Sequence, residues 1–497
     1  MDKNKFNDKW LYLPILILGT YLIIRLIDQS NIIYIFPLDK YNDWSSYMAQ
    51  LHFLKVCGFH NFCPYWYNGF INFQINQPGF YFFIYPLYLL IKDIQLTFFL
   101  ALILILLLSF LALYLNRDRL GISKTKSLAF FLLFFGNAIS IGNFIRLGKI
   151  HQLFGWFNVI IIFIFLLVYK DKKIDKNFLF IMPFYFFSIL SHQNLAIIST
   201  LTILGLFLIK DLRERIYISL ILLVTWIASS FWWLDYIKNF PSTTSKTIIV
   251  GQTLSKISRA TYSDNIVAIL IPLAFFIIFY LYLRSSRNRK KELIFFSPIL
   301  AIAILLLTRL ILFIPFINQV FPDAYSLMLL FFMIYMFFKI DFNLFKKYKK
   351  IFIYGIALVS ILSILLNIIF TPTFTKHTEL EKDTIEILKK VESKFMVLNS
   401  PSRRTSYPEA YYSYASIYLN LSTPSGWYPS MASKEYVNKL SEPENYLESG
   451  DCLKLRKSLY DLKVKEVISY NDSCYTLYKC EFSQKANKNN VCLYEIK

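Results

Sequence analysis

Charge is scarce in this chain. Only 17% of its 497 residues are Asp, Glu, Lys or Arg, against about 25% in soluble proteins. Hydrophobic residues make up 56% and mean hydropathy is +0.46. That excludes a disordered chain, which needs low hydrophobicity. Familiar catalytic signatures are missing as well. No Walker A, GxSxG, HExxH or GxGxxG of useful specificity occurs, so ATP-driven transport and zinc proteolysis lose their usual support. There is no clean DxD, no CxxC pair, and no small-residue cleavage site after the first apolar stretch. No convincing internal repeat is visible either, which a transporter tends to show.

What fills the chain instead is apolar runs of spanning length. They lie near 10–27, 94–115, 127–145, 152–169, 178–191, 193–209, 216–234, 265–283, 292–312, 322–339 and 350–370. Runs of about 20 apolar residues read as transmembrane helices, so eleven crossings are expected. The runs at 178–191 and 193–209 are short enough to form one bent hairpin, and Phe80–Ile91 is broken by Pro86. The fold class expected is a polytopic α-helical membrane protein with a C-terminal extracytoplasmic α/β or α+β domain.

The net charge of +21 then reads as an address. The presumed inner segments hold 24 Lys and Arg, and the outer segments before residue 371 hold 8. Cytoplasmic loops carry such an excess, so the N-terminus is expected in the cytoplasm, the C-terminus outside and the chain in the cell membrane. A nucleic-acid partner is not implied.

Residues 371–497 differ in character. They hold 18 basic against 16 acidic residues and no spanning run. Residues 1–370 are thus expected to form the membrane domain, with a first outer loop at 28–80, and 371–497 a separate domain. Thr378–Val397 has helical periodicity, Leu462–Tyr470 alternates like a strand, and Val491–Ile496 reads as another. Cysteine placement agrees. Cys57 and Cys63 fall in the first outer loop, and Cys452, Cys474, Cys480 and Cys492 in the C-terminal domain. Even numbers confined to outer segments predict disulfides. Three pairings of the last four are open, and zinc is a rival ligand for them. Asn420-Leu421-Ser422 and Asn471-Asp472-Ser473 fit the N-glycosylation acceptor pattern.

The first outer loop carries the chemistry. It reads DKYNDWSSYMAQLHFLKVCGFHNFCPYWYNGF from Asp39 and is too long for a plain connector. Asp43 stands four residues before Tyr47, near the expected start of a helix over Ser45–Val56. Helix capping is its plainest role there.

Asp43, Tyr47, Gly58, Pro64, Trp66, Gly69 and Tyr85-Pro86-Leu87 together resemble the first-loop pattern of the GT-C superfamily of glycosyltransferases. The pattern is most similar to that of the archaeal-type polytopic proteins labelled 6-pyruvoyl-tetrahydropterin synthase-related. Tyr47 stands where that group frequently has His. Further echoes are Arg146-Leu147-Gly148 with His151, Ser191-His192, Phe231-Trp232-Trp233 and Leu462–Ser469. The resemblance implies transfer of a sugar from a polyprenyl-phosphate donor, at the outer face, to a glycan, lipid or protein acceptor. Asp43 is the implied base or metal ligand, Asp39 the second acid, and Tyr47 and Trp66 neighbours of the acceptor. Asp39 and Asp43 would face one cavity only if helical there. A divalent metal, Mg or Mn, is left open. The lipid phosphate needs cationic donors, and Arg146, Lys149, His151, His192 and Arg309 stand at suitable depths. Arg309 could instead pair with Asp323. Trp232–Tyr236 (WWLDY) looks like an oligosaccharyltransferase motif but sits at a span end, where aromatic belts are expected. Ser425–Tyr428 (SGWY) could shape an acceptor pocket or be a turn. The alternatives to an enzyme are a carrier or flippase for a lipid-linked substrate, and a non-catalytic scaffold of the same fold.

Overall fold

The computed structural model describes residues 8–243, 269–314, 322–341, 349–401 and 407–496. They form two compact units. The first takes its residues from 1–28, 100–231 and 246–372, the second from 29–99, 232–245 and 373–497.

The first unit is helical. Among the described residues four helices are long and apolar enough to cross a membrane. They are the stretch Asp8–Ile33 around α1 (Tyr12–Gln29), the helix Ile94–Leu115, the helix Ile150–Asp171, and Phe352–Phe370. Two bent pairs raise the number to six. Lys124–Phe135 and Ala138–Arg146 meet at 52°, and Leu212–Ala228 and Ser230–Asn239 at 69°. The apolar runs expected at 127–145 and 216–234 are therefore each broken. At the first break Asn137 is responsible. Its side chain donates to the carbonyl of Leu133 at 3.0 Å and accepts from Ile139 N at 2.9 Å, ending one helix and capping the next. Shorter apolar helices cover Gly79–Ile91, Lys176–Ser191, Gln193–Ile209 and Ile271–Ser285. Among the described residues length and composition thus give four to six crossings; the other runs expected to span are helical where described but shorter or more charged at their ends, and 265–268 of the run expected at 265–283 lie outside the described residues. The basic clusters partly neutralise one another's acids. Lys170 pairs with buried Glu292, and Lys291 with Asp171 at 2.6 Å.

The second unit joins the first outer loop to the C-terminal segment. Helices α2 (Trp44–Val56) and α3 (Gly79–Ile91) flank a small antiparallel pair, β1 (Phe62–Cys63) and β2 (Phe70–Ile71). Gly69 shapes that hairpin. Its φ is +111°, and a Cβ there would stand 2.1 Å from the Phe62 ring. The C-terminal segment folds a mixed sheet from β3 (Phe395–Val397), β4 (Glu466–Tyr470), β5 (Ser483–Lys488) and β6 (Val491–Glu495), ordered β3-β4-β6-β5. Only β3 and β4 are parallel. Met396, Leu455, Leu459, Val467, Leu477 and Tyr494 form the core beneath it.

Two expectations are corrected here. The helix over Thr378–Val397 stops at Leu388 after starting on a Thr378/Glu381 capping box, and Phe395–Val397 is a buried strand. The strand over Leu462–Tyr470 begins only at Glu466, because Lys463 turns with φ +56°. The cysteines are covalently paired as 57–63, 452–480 and 474–492. None is left to bind zinc.

The loop and the C-terminal segment are strapped together by the backbone. Thr423 N donates to the carbonyl of Tyr65 at 2.7 Å, the Tyr67 hydroxyl to that of Gly426 at 2.7 Å, and the Asn68 amide to that of Leu462 at 3.0 Å. Lys394 adds a 2.6 Å bond to the Asn68 side-chain oxygen. The compact unit is therefore larger than residues 371–497 alone.

Candidate functional site

Asp43 is the last residue before α2, and its backbone carbonyl receives the first helical bonds. Tyr47 N donates to it at 3.1 Å and the Ser46 hydroxyl at 2.7 Å. Its carboxylate makes no N-cap hydrogen bond. The carboxylate stands instead within electrostatic range of three phenols, those of Tyr47, Tyr81 and Tyr428. Tyr47 lies one turn along α2, Tyr81 on α3, and Tyr428 on the C-terminal segment.

These side chains form one cluster. Asp43, Tyr47 and Tyr428 are half-buried. Ser46 and Tyr81 at 0% exposure and Gln50 at 2% are buried. The Ser46 hydroxyl lies 2.8 Å from that of Tyr428, and Tyr428 also reaches Tyr47 and the Gln50 side chain. Burial, then the neighbouring Tyr428 and Asp43, push the Tyr47 hydroxyl well above its ordinary pKa. Burial and Asp43 do the same to Tyr428. Both phenols therefore stay protonated at neutral pH and keep a proton to donate.

The other loop residues are placed differently. Asp39 is 3% exposed, and its carboxylate accepts from Tyr41 N at 2.9 Å. It lies in a turn before α2, facing Glu381, whose carboxyl is raised by burial. The helical condition for Asp39 and Asp43 to share a face is not met. Trp66 is 0% exposed, packed edge-on to Phe53 at 4.8 Å. A Cβ on Gly426 would stand 2.7 Å from its ring, so Trp66 is a pillar under the SGWY turn rather than a rim residue. His52 packs against Tyr65 at 5.8 Å, and burial and Lys55 lower it to a pKa of about 4. Trp232, in the WWLDY segment, donates to the carbonyl of Asn76 at 2.8 Å, and Asp235 lies 3.6 Å from His60.

The cationic candidates lie in the first unit. Lys149 pairs with Asp323 at 2.9 Å. His192 is in electrostatic range of both and caps the helix Gln193–Ile209 by accepting from Asn194 N at 3.2 Å. His151 is in turn within range of His192. Lys149, His151 and His192 are thus gathered in one place. Arg146 ends a π-helical turn, Ile141–Arg146, and is 2% exposed. Arg309 is half-buried with φ +64°, and Asp323, its expected partner, is engaged by Lys149. Among the described residues no three His, Cys, Asp or Glu side chains gather around one point. The phenols near Asp43 are poor cage ligands for Mg2+ or Mn2+.

Sequence comparison is silent: no family profile and no curated protein matches the chain. Solved structures do match. The arabinofuranosyltransferase AftD from Mycobacteria aligns over 100% of this chain with a TM-score of 0.59 and 13% identity. The archaeal oligosaccharyltransferase AglB from Archaeoglobus fulgidus, in complex with an inhibitory peptide and a dolichol-phosphate, aligns over 97% with a TM-score of 0.52 and 11% identity. The same fold recurs in the A. fulgidus oligosaccharyltransferase bound to Zn and sulfate, with a TM-score of 0.55 and 11% identity. The chain shares the fold of these structures. It spans 40% of the length of AftD and 74% of that of AglB. The GT-C expectation is met at the level of fold, and the narrower pterin-synthase-related label gains no support from these neighbours. Sequence reasoning singled out Asp43 and Tyr47 but not Ser46, Gln50 or Tyr81, which lie close to them. Tyr428 was visible only as part of a turn.

Proposed function

We propose that the chain is a membrane glycosyltransferase that moves a sugar from a polyprenyl-phosphate carrier to an acceptor at the outer face, with Asp43 as base. One observation carries this reading. Asp43 occupies a capping position without an N-cap side-chain bond, and its half-buried carboxylate lies in electrostatic range of the hydroxyls of Tyr47, Tyr81 and Tyr428.

In the proposed step the acceptor oxygen attacks the anomeric carbon. A new C–O bond forms, the bond from that carbon to the phosphate oxygen breaks, and its electron pair leaves with the lipid phosphate. The acceptor proton goes to Asp43. General-base help of this kind is worth about 10²–10⁴ in rate. Tyr47 and Tyr428 flank the carboxylate within the same cluster of side chains. Arg146 and Arg309 are the bidentate candidates for a lipid phosphate, with Lys149, His151 and His192 as further cationic candidates.

The reading is tested by reconstituting the full chain in vesicles with radiolabelled polyprenyl-phosphate monosaccharides and a glycan acceptor. Transfer by the wild type and its loss in Asp43→Asn are expected. Full transfer by that variant would remove Asp43 from the chemistry. Movement of the intact donor across the bilayer without bond cleavage would favour a flippase.

A further inference from the structure

Three basic segments, far apart in the chain, are brought onto one surface by the fold. Residues 170–176, 210–215 and 284–292 hold twelve Lys and Arg against five Asp and Glu. All three belong to the first unit. Lys291 pairs with Asp171 at 2.6 Å and Lys170 with Glu292, which joins the first segment to the third. The Lys210 ammonium donates to the carbonyl of Lys172 at 2.6 Å, and Ile174 N to the Glu214 carboxylate at 2.7 Å, which joins the first to the second. The helices Ile150–Asp171, Gln193–Ile209 and Ile271–Ser285 end here, and Leu212–Ala228 and Arg289–Leu307 begin here.

The acids of this surface are engaged within it. Glu292, 8% exposed, takes Lys170 and also the Tyr282 hydroxyl at 2.6 Å. Glu214 takes Lys210 at 3.2 Å, Asp175 takes Lys172 at 3.3 Å, and Asp211 caps its own helix through Glu214 N. Beyond these pairs Lys173, Lys176, Arg213, Arg287, Arg289 and Lys290 are all exposed. Lipid-facing side chains begin beside them. Phe180, Leu212, Ile216 and Tyr280 are large, apolar and exposed, each within four residues of a basic side chain. The exposed charges therefore stand where acyl chains give way to head groups.

We propose that this surface docks anionic phospholipid head groups of the leaflet it meets. Charge complementarity names the occupant. A Lys or Arg close to an anionic membrane favours it by about fivefold, whereas a zwitterionic head group has no net charge to offer. Orientation during insertion needs only the count of basic residues in each loop. It does not need three separate segments tied into one face with their acids engaged among themselves. None of these residues takes part in the proposed transfer step, so the lipid held here is not the sugar donor.

The test places the full chain in nanodiscs and uses spin-labelled phosphatidylglycerol and phosphatidylcholine as probes. The motionally restricted fraction of each label gives their relative association with the protein. The wild type is expected to favour phosphatidylglycerol by about fivefold or more at low salt. That preference should fall towards one between about 0.05 and 1 M salt, as exposed charges are screened. Replacing Lys173, Lys176, Arg287 and Lys290 together by Gln should remove most of the preference at low salt. The charge-keeping set Lys173→Arg, Lys176→Arg, Arg287→Lys and Lys290→Arg should retain it. Equal association of the two lipids with the wild type overturns the proposal and leaves the surface to a soluble acidic partner. Wild-type preference in the Gln variant overturns it too. So does a preference that persists at the highest salt, because it would come from a shielded site. The salt series needs no variant, so the test stands even where a substitution fails to fold.

Discussion

The hydroxyl of Ser46 lies 2.8 Å from the hydroxyl of Tyr428, 382 residues further along the chain. Asp43 therefore sits between a helix made early and a turn made late, and its environment depends on both.

The first consequence is catalytic. Asp43→Asn keeps the shape of the side chain and removes its basicity. Transfer should fall by about 10²–10⁴, with the thermal midpoint nearly unchanged because the side chain caps nothing. Single-turnover rates with a saturating donor read this directly.

In the first unit the Lys149–Asp323 pair is largely shielded, with side-chain exposures of 20% and 24%. Lys149→Met leaves the Asp323 carboxylate without its cation and should cost about 1–3 kcal/mol. Adding Asp323→Leu should recover much of that loss. If Lys149 also meets the donor phosphate, the double variant regains stability while its KM for the donor stays raised. Thermal midpoints and donor KM for the single and double variants settle this.

His52 gives a pH signature. Its folded pKa of about 4 lies below the ordinary value near 6.5. The unfolded chain therefore takes up a proton first as pH falls. Stability should be constant above about pH 6.5 and decline from there towards pH 4. His52 is only partly buried, so its share is about 1 kcal/mol. His52→Phe should flatten the dependence of the thermal midpoint between pH 7.5 and 5.

The disulfides Cys452–Cys480 and Cys474–Cys492 close loops of 28 and 18 residues. Each is expected to contribute about 3 kcal/mol. Cys474→Ser with Cys492→Ser should lower the midpoint of the C-terminal segment by several degrees, seen by protection of β4 and β6 amides in hydrogen exchange. Without reductant, no native thiol should be alkylated.

That silence of the native cysteines makes topology measurable. Arg287 and Lys457 are both exposed. A membrane-impermeant maleimide applied to intact cells should label Lys457→Cys and not Arg287→Cys. The reverse pattern would overturn the charge-based orientation.

Much of the membrane architecture was legible because a span must be apolar over its whole length. The breaks at Asn137 and Ser229 were not, since a bent helix keeps the composition of a straight one. Asp43 stood out as an acid just past the first apolar run. Its partners did not. Gln50 and Ser46 look like ordinary helix polars, and their burial comes from tertiary packing. Tyr428 has no periodicity linking it to α2. The strand Ser483–Lys488 was missed because SQKANK is polar and lies at a sheet edge. The disulfide pairing needed coordinates, since spacing alone leaves three choices.

The strap between Tyr65–Asn68 and the segment from Thr423 to Leu462 also sets a clock. Chains are made at about 5–20 residues per second. On that scale the first loop waits on the order of tens of seconds for the hydrogen-bond partners that complete its packing. Until then the backbone groups around Tyr65 and the aromatic face of α2 stand open on the side where they emerge. On the proposed reading, transfer waits until the chain has been made as far as Leu462.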